Sequence, residues 1–140
     1  MSRTRALILA SVAAVLPLVG CQADTATDVV GKQWQVTAIY DDPALPHLQP
    51  PEEPPVVIAL GHSSYTVLSA CGAAAGELSW QGEEVEFGAP APTQESTCSA
   101  PAQVFEQRFR EILPGAFSYH LDENGLRLSR GEAGWTAVSP

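Results

Sequence analysis

The chain has 140 residues, and 16 Asp and Glu against 7 Lys and Arg give it a formal net charge of −9 at pH 7. This length is sufficient for one domain with its own hydrophobic core. The acidic balance argues against nucleic acid as a partner, which requires a basic patch, and against attachment to anionic lipid head groups by surface charge.

Residues 1–20 have the organisation of an export signal. Arg3 and Arg5 provide a positively charged start, and residues 6–19 are mostly apolar. This apolar segment is shorter than the roughly 20 apolar residues needed to span a bilayer. The pattern therefore predicts a signal peptide rather than a transmembrane helix.

The residues at 18–21, Leu-Val-Gly-Cys, resemble a bacterial lipobox, in which the cysteine is lipidated and becomes the first residue of the mature protein. We therefore predict that residues 1–20 are a lipoprotein signal peptide and that Cys21 carries the lipid. Two or more acyl chains give stable anchoring, at about 0.8 kcal/mol per buried CH₂ group. The predicted location is the cell membrane, lipid-anchored and exposed on the extracytoplasmic side. The alternative is ordinary signal cleavage, which leaves a soluble secreted protein.

Cleavage before Cys21 makes the net charge more negative, from −9 to −11, because Arg3 and Arg5 are removed with the signal peptide. Residues 22–28 are small and polar, so residues 21–28 are interpreted as the lipidated Cys and a flexible tether. The domain itself is predicted over residues 29–140.

The domain begins with a predicted strand and a proline-rich loop. Residues 31–40 alternate between apolar and polar side chains, with Ile39 as the exception. One face of this predicted half-buried strand carries Trp34, Val36, Ala38 and Tyr40. Residues 41–55 contain repeated prolines and predict an extended surface loop. A long connection across the end of a sheet is favoured over a recognition motif for aromatic grooves.

The middle of the domain is predicted to form two hairpins. Their four strands span residues 56–60, 65–70, 77–80 and 84–87. Residues 71–76, which are all small, are interpreted as a loop where two backbones approach closely. Residues 88–98, with two prolines, are predicted to be irregular.

The hydrophobic period then changes to that of a helix over residues 102–113. Its apolar face carries Phe105, Phe109, Ile112 and Leu113. Ser99 is a candidate N-cap, and the Pro-Gly pair at 114–115 ends the helix. Three further strands follow, at residues 116–121, 126–130 and 135–138.

These elements predict a mainly β fold of the α+β class. About eight short antiparallel strands would form a strongly twisted sheet or a small barrel. The amphipathic helix would pack on one face or one open end of that sheet.

Three cysteines are present, and lipidation of Cys21 leaves Cys71 and Cys98 as a pair. In an oxidising compartment a disulfide between them is the expected state. A metal site with two cysteine ligands is the less favoured alternative, because no His lies near either Cys and no Cys-x-x-Cys motif occurs. No paired His marks either residue as a catalytic nucleophile.

Three features in this order resemble the META domain family. They are the strand at 31–40, the segment 65–76 that contains Cys71, and Cys98 directly before the amphipathic helix. The family commonly has Gly-Cys-Asn where this chain has Ala-Cys-Gly at 70–72, so any role of that Asn is missing here.

The resemblance covers nearly all of the domain, residues 29–140. It implies a small envelope or secreted protein, like the heat-shock-inducible HslJ-like proteins, linked to stress tolerance, motility or virulence. It implies no established enzymatic activity. The match of both cysteine positions also supports a bridge between Cys71 and Cys98.

No catalytic motif is present in the sequence, and we predict neither enzymatic activity nor a cofactor or metal. His47, His62 and His120 are scattered and are interpreted as solvated or packing residues. The acidic residues at 83, 84 and 86 are interpreted as a solvated strand edge rather than a glycosidase pair. The tryptophans at 34, 80 and 135 are interpreted as core or barrel-end packing rather than a ligand platform.

Two classes of function follow. The first is a non-catalytic, monomeric envelope lipoprotein that acts in stress tolerance or envelope integrity by binding a protein, glycan or lipid. The second is a small barrel that carries a ligand or inhibits a cell-envelope hydrolase or protease. The barrel interior discriminates between surface binding and a carrier, because a cavity above about 300 Å³ would favour a carrier. The residues expected to fill it are Trp34, Tyr65, Phe87, Phe105 and Phe109.

Overall fold

A computed structural model describes residues 25–42, 44–51 and 54–140, and residues 1–24, including Cys21, lie outside this description. The elements follow in the order α1 (Thr25–Val29), β1 (Lys32–Tyr40), β2 (Val57–Leu60), β3 (Ser64–Ser69), β4 (Gly72–Gln81), β5 (Glu84–Phe87), β6 (Ala91–Glu95), α2 (Ala100–Ile112), β7 (Gly115–Asp122), β8 (Gly125–Arg130) and β9 (Ala133–Val138).

Eight of the strands form a closed antiparallel barrel. The order around the barrel is β1-β2-β3-β4-β5-β7-β8-β9, and β9 pairs with β1. The ninth strand, β6, pairs with the first half of β4, beyond the stretch of β4 that pairs with β5. Closure leaves the eight barrel strands without free edges. The predicted fold class, mainly β with a barrel and one amphipathic helix, is confirmed.

A β-bulge explains the irregular alternation in β1. The register with β9 shifts between Val36 and Ala38. One extra residue reverses which side chains of a strand point inward. Trp34 and Val36 are therefore buried before the bulge, and Ile39 is buried after it.

The barrel interior is filled by side chains. The five aromatic residues expected there are each at most 3% exposed: Trp34, Tyr65, Phe87, Phe105 and Phe109. Phe87 lies at the centre, with edge-to-face contacts to Tyr65 and Trp135 at centroid distances of 5.2 and 6.0 Å. Such contacts add about 0.5–1.5 kcal/mol each to the gain from burial. The interior is thus a packed core.

Helix α2 has the predicted N-cap and ends just before the predicted Pro-Gly pair at 114–115. The Ser99 hydroxyl accepts a hydrogen bond from the Ala102 N–H at 3.3 Å. At the other end, Arg130 donates to the carbonyls of Ile112 and Pro114, at 3.1 and 2.6 Å. These bonds satisfy carbonyl groups that a helix end leaves unpaired, and the guanidinium charge complements the helix dipole.

The two ends of the barrel differ in structure. At the N-terminal end, β1 begins, and Val29 is buried with its carbonyl accepting a bond from Trp34 Nε1 at 3.1 Å. At the opposite end, where β1 finishes and β7 begins, α2 lies across the barrel and inserts Phe105 and Phe109. We call the latter the helix-covered end.

Two local predictions are corrected by the structure. The small residues at 71–76 are largely strand, the first half of β4, and residues 91–95 of the segment predicted to be irregular form β6. Small side chains serve close strand contacts here, because a Cβ on Gly76 would overlap the Tyr65 ring. The described part of the predicted tether, residues 25–28, lies in the short helix α1, and residues 21–24 lie outside the described residues.

Cys71 and Cys98 form a disulfide with a Cα–Cα distance of 4.9 Å. It joins the start of β4 to the segment that leads into α2. A backbone bond from the Ser96 N–H to the Cys71 carbonyl, at 3.0 Å, reinforces this connection. The bridge therefore holds the helix-covered end together.

Replacing both Cys71 and Cys98 with Ala should lower the free energy of unfolding by about 2–5 kcal/mol, the usual cost of losing a native disulfide. Urea denaturation followed by tryptophan fluorescence measures the change. The wild-type protein should shift by a similar amount when a reductant is added. A double variant with the wild-type midpoint would contradict this account.

Candidate functional site

Surface grooves, rather than the interior, are the candidate sites of this domain. Two grooves flank α2 at the helix-covered end, with volumes of about 590 and 350 Å³. Both volumes are within the range of ligand sites in proteins. Neither groove was anticipated from the sequence.

The larger one, the polar groove, lies between α2 and the chain that follows β6. Its helix side carries Gln103, Glu106, Gln107, Arg110 and Glu111, and its other side is formed by residues 95–98 together with Cys71. The spacing of the helix residues puts them on one face of α2. The predicted disulfide residues Cys71 and Cys98 therefore line a groove, while Cys21 lies outside the described residues.

Glu106 connects α2 to the neighbouring strand β3 through a side-chain hydrogen bond. Its carboxylate accepts a hydrogen bond from the Ser69 hydroxyl at 2.6 Å and one from Arg110 at 2.7 Å. The Ser69 hydroxyl also accepts the Cys71 N–H at 3.2 Å. The Glu106 side chain is only 12% exposed, so these bonds offset the cost of removing its charge from water. They join the helix to the start of β4.

The smaller one, the apolar groove, lies between α2 and the proline-rich loop. Its apolar lining consists of Ile39, Leu45, Pro46, Leu48, Val104 and Ile112. Two backbone hydrogen bonds between Ile39 and Leu48, at 2.8 and 2.9 Å, hold the loop against β1. An ion pair between Asp41 and Arg108 crosses from the loop to the helix.

Two large apolar side chains beside this groove remain exposed. Leu45 is 54% exposed and Val104 is 56% exposed. Single exposed apolar residues are common, but a pair that lines one groove is typical of a contact surface. The sequence signal that could have found Val104 is its position on α2, outside the face that carries Phe105 and Phe109.

Neither groove has a histidine among the described residues that line it. His120 is exposed on the barrel wall, 3.6 Å from Asp122, and His47 packs near the Tyr40 ring. Burial raises the pKa of Tyr65 to about 12, so its hydroxyl stays protonated and donates to the Gly88 carbonyl at 2.7 Å. Among the described residues, no group of three or more His, Cys, Asp or Glu is arranged to hold a metal ion.

The three tryptophans pack in the core or at the rim of the barrel. Trp34 and Trp135 are buried in the core, whereas Trp80 is half-buried at the rim. Its indole N–H donates to the Gly61 carbonyl at 2.9 Å, and its ring meets Tyr119 edge to face. All three tryptophans therefore pack within the barrel, as predicted.

Within the described part of the chain, no helix is both long and apolar enough to cross a membrane.

The META domain family model matches residues 27–139. The chain belongs to the META domain family. The bounds of the match agree closely with those of the barrel and its helix. No curated protein is significantly similar to the chain in sequence.

This META domain also resembles a solved structure, the NMR structure of a protein from Burkholderia xenovorans. The TM-score is 0.66, and the match covers 84% of this chain and 88% of that protein, at 14% sequence identity. At this identity the similarity extends to the fold alone. The META family is not known as a family of enzymes.

Replacing Glu106 with Ala should lower the free energy of unfolding by about 1–3 kcal/mol, because the hydroxyl of Ser69 and the guanidinium of Arg110 would lose a half-buried partner. Glu111→Ala is the matched control on the same helix face. Its side chain is 57% exposed, so a loss below about 0.5 kcal/mol is expected. Equal midpoints for the two variants in urea denaturation would refute the role assigned to Glu106.

Proposed function

We propose that this protein is a lipid-anchored, non-catalytic binding module of the bacterial cell envelope, and that it contacts its partner through the helix-covered end. The observation that carries this proposal is the position of both grooves. They flank α2, at the end of the barrel opposite to the one where the N-terminal segment joins. A lipid on Cys21 would therefore leave the groove surface directed away from the membrane.

The packed interior favours a surface binder over a ligand carrier. A carrier needs an internal cavity, and the five aromatic side chains occupy the space where it would lie. Inhibition of a cell-envelope hydrolase or protease would use the same surface and is one form of partner binding. A role in stress tolerance or envelope integrity, as the family resemblance implies, is compatible with either form.

The described residues that line the grooves include no histidine that could act as an acid or base, and this supports a binding role. An active site usually combines a cleft with titratable groups whose pKa values are shifted toward neutrality. The described groups with raised pKa values are Tyr40 and Tyr65, and in both the main cause is burial. Both shifts keep the hydroxyl protonated at neutral pH, which suits structural hydrogen bonds rather than proton transfer.

Replacing Cys21 with Ser should abolish lipid labelling and release the protein from the membrane fraction, because serine offers no thiol for acylation. Incorporation of a tagged fatty acid, followed by fractionation, measures both effects. The matched control is the variant with Cys71 and Cys98 replaced by Ser, which should still be labelled. A Cys21→Ser protein that remains membrane-bound would refute the anchor.

A photo-reactive amino acid at Val104 or Gln107 should cross-link to another envelope component in intact cells. The same probe at His120, which is 74% exposed on the barrel wall, is the control for non-specific contacts. Immunoblotting for larger adducts provides the measurement. Adducts of equal yield at all three positions, or none at the two helix positions, would contradict binding through the helix-covered end.

A further inference from the structure

We propose that the polar groove binds an extended, basic peptide segment of a partner protein, which adds as a strand beside residues 95–98 and lies along α2. This inference rests on the proposed function, since it names the kind of partner that the helix-covered end recognises. Three independent features of the groove support it: a free strand edge, a facing helix and an excess of acidic side chains.

The free edge belongs to β6 and the residues that follow it. Among the described strands, β6 pairs with β4 alone, and all five of its residues are exposed. The Ser96 N–H bonds to the Cys71 carbonyl, and Glu95 is the register partner of Gly72. Because hydrogen bonding alternates along an antiparallel ladder, the N–H and C=O of Glu95 point away from β4.

Only the second half of this edge is suited to pairing. Pro92 has no N–H to donate, and the register with β4 shifts between Ala73 and Ala74. Prolines and bulges are the usual means by which proteins protect a strand edge. The protection stops before Glu95, where the wall of the polar groove begins. The residue with the outward backbone groups is therefore also a lining residue of the groove.

The opposite wall of the groove is the outer face of α2. A cleft between a strand edge and a helix is the arrangement in which a peptide adds to a sheet by backbone hydrogen bonds, while its side chains contact the helix. The groove volume of about 590 Å³ accommodates a short extended segment. The disulfide between Cys71 and Cys98 fixes the non-helix wall to the start of β4, and the Ser69–Glu106 hydrogen bond ties α2 to the end of β3.

The charge of the lining selects a basic segment. Glu95, Glu106 and Glu111 line the groove with one cation, Arg110, which is already bonded to Glu106. The whole chain has a net charge of −9, which adds to the attraction for a cation and repels acidic peptides. Lysine or arginine side chains at alternate positions of the peptide would face these carboxylates.

The test measures binding of a fluorescent peptide of alternating lysine and threonine to the purified mature protein in detergent, by fluorescence anisotropy. Two control peptides separate the contribution of backbone pairing from that of charge. One has the same sequence with N-methyl groups on alternate amides, which keeps the charge but blocks strand pairing. The other alternates glutamate and threonine. Binding of the unmodified basic peptide alone, weakened by added salt, is the expected result.

Two variants at one position separate backbone pairing from charge. Glu95→Pro removes the outward N–H and should weaken binding about 5- to 10-fold more than Glu95→Gln does, the value of one hydrogen bond. Glu95→Gln retains the N–H and should cost only about 2- to 3-fold, as for an exposed charge. Thermal unfolding confirms that each variant is folded. If the Glu95→Pro variant does not fold, the N-methylated peptide still tests backbone pairing on the wild-type protein.

Equal affinity for the basic peptide and its N-methylated form would overturn the inference, as would tighter binding of the acidic peptide. Cross-links from Val104 or Gln107 in cells, together with no binding of the basic peptide, would refute this inference and leave the proposed function intact. Absence of both would refute the two together.

Discussion

The contact between Phe109 of α2 and Trp135 of β9 is the interaction on which the rest of the structure depends. The two rings meet edge to face at a centroid distance of 5.5 Å, and each is at most 1% exposed. Full burial of an aromatic side chain contributes about 1.5–3 kcal/mol. The buried indole N–H of Trp135 has no hydrogen-bond partner among the described residues, which costs about 1–3 kcal/mol. Packing against Phe87 and Phe109 offsets that cost.

This contact decides where the helix lies and therefore where the grooves lie. With Phe105 and Phe109 inserted into one end of the barrel, the polar side of α2 must face outward along its whole length. The chain before the helix and the proline-rich loop then border its two sides. The disulfide, the Glu106 network and the Arg130 bonds hold this arrangement in place. The two grooves lie along the two sides of the helix that covers this barrel end.

Much of the fold could be predicted from the sequence, because local patterns report local structure. The helix from Ser99 to its Pro-Gly stop and the hairpins around short turns were found in this way. Residues 71–76 and 91–95 were not, since alanine, glycine and proline carry no periodic signal and their strand state depends on partners distant in sequence. Gly72 shows the reason: its φ is +128°, and a Cβ at this position would overlap the Gln94 carbonyl of the paired strand β6, a constraint that no local pattern reveals.

The sequence by itself determined the fold class, the single domain, the cysteine pair and the acidic charge, since each follows from composition, period or spacing along the chain. It also carries the lipobox that predicts an anchor at Cys21. Only the tertiary structure decided that the barrel is closed and packed, that its two ends differ, and that a strand edge faces a helix across an acidic groove. These features combine residues such as Glu95 and Glu106 from separate elements, and their distances are set by long-range packing that no local pattern encodes.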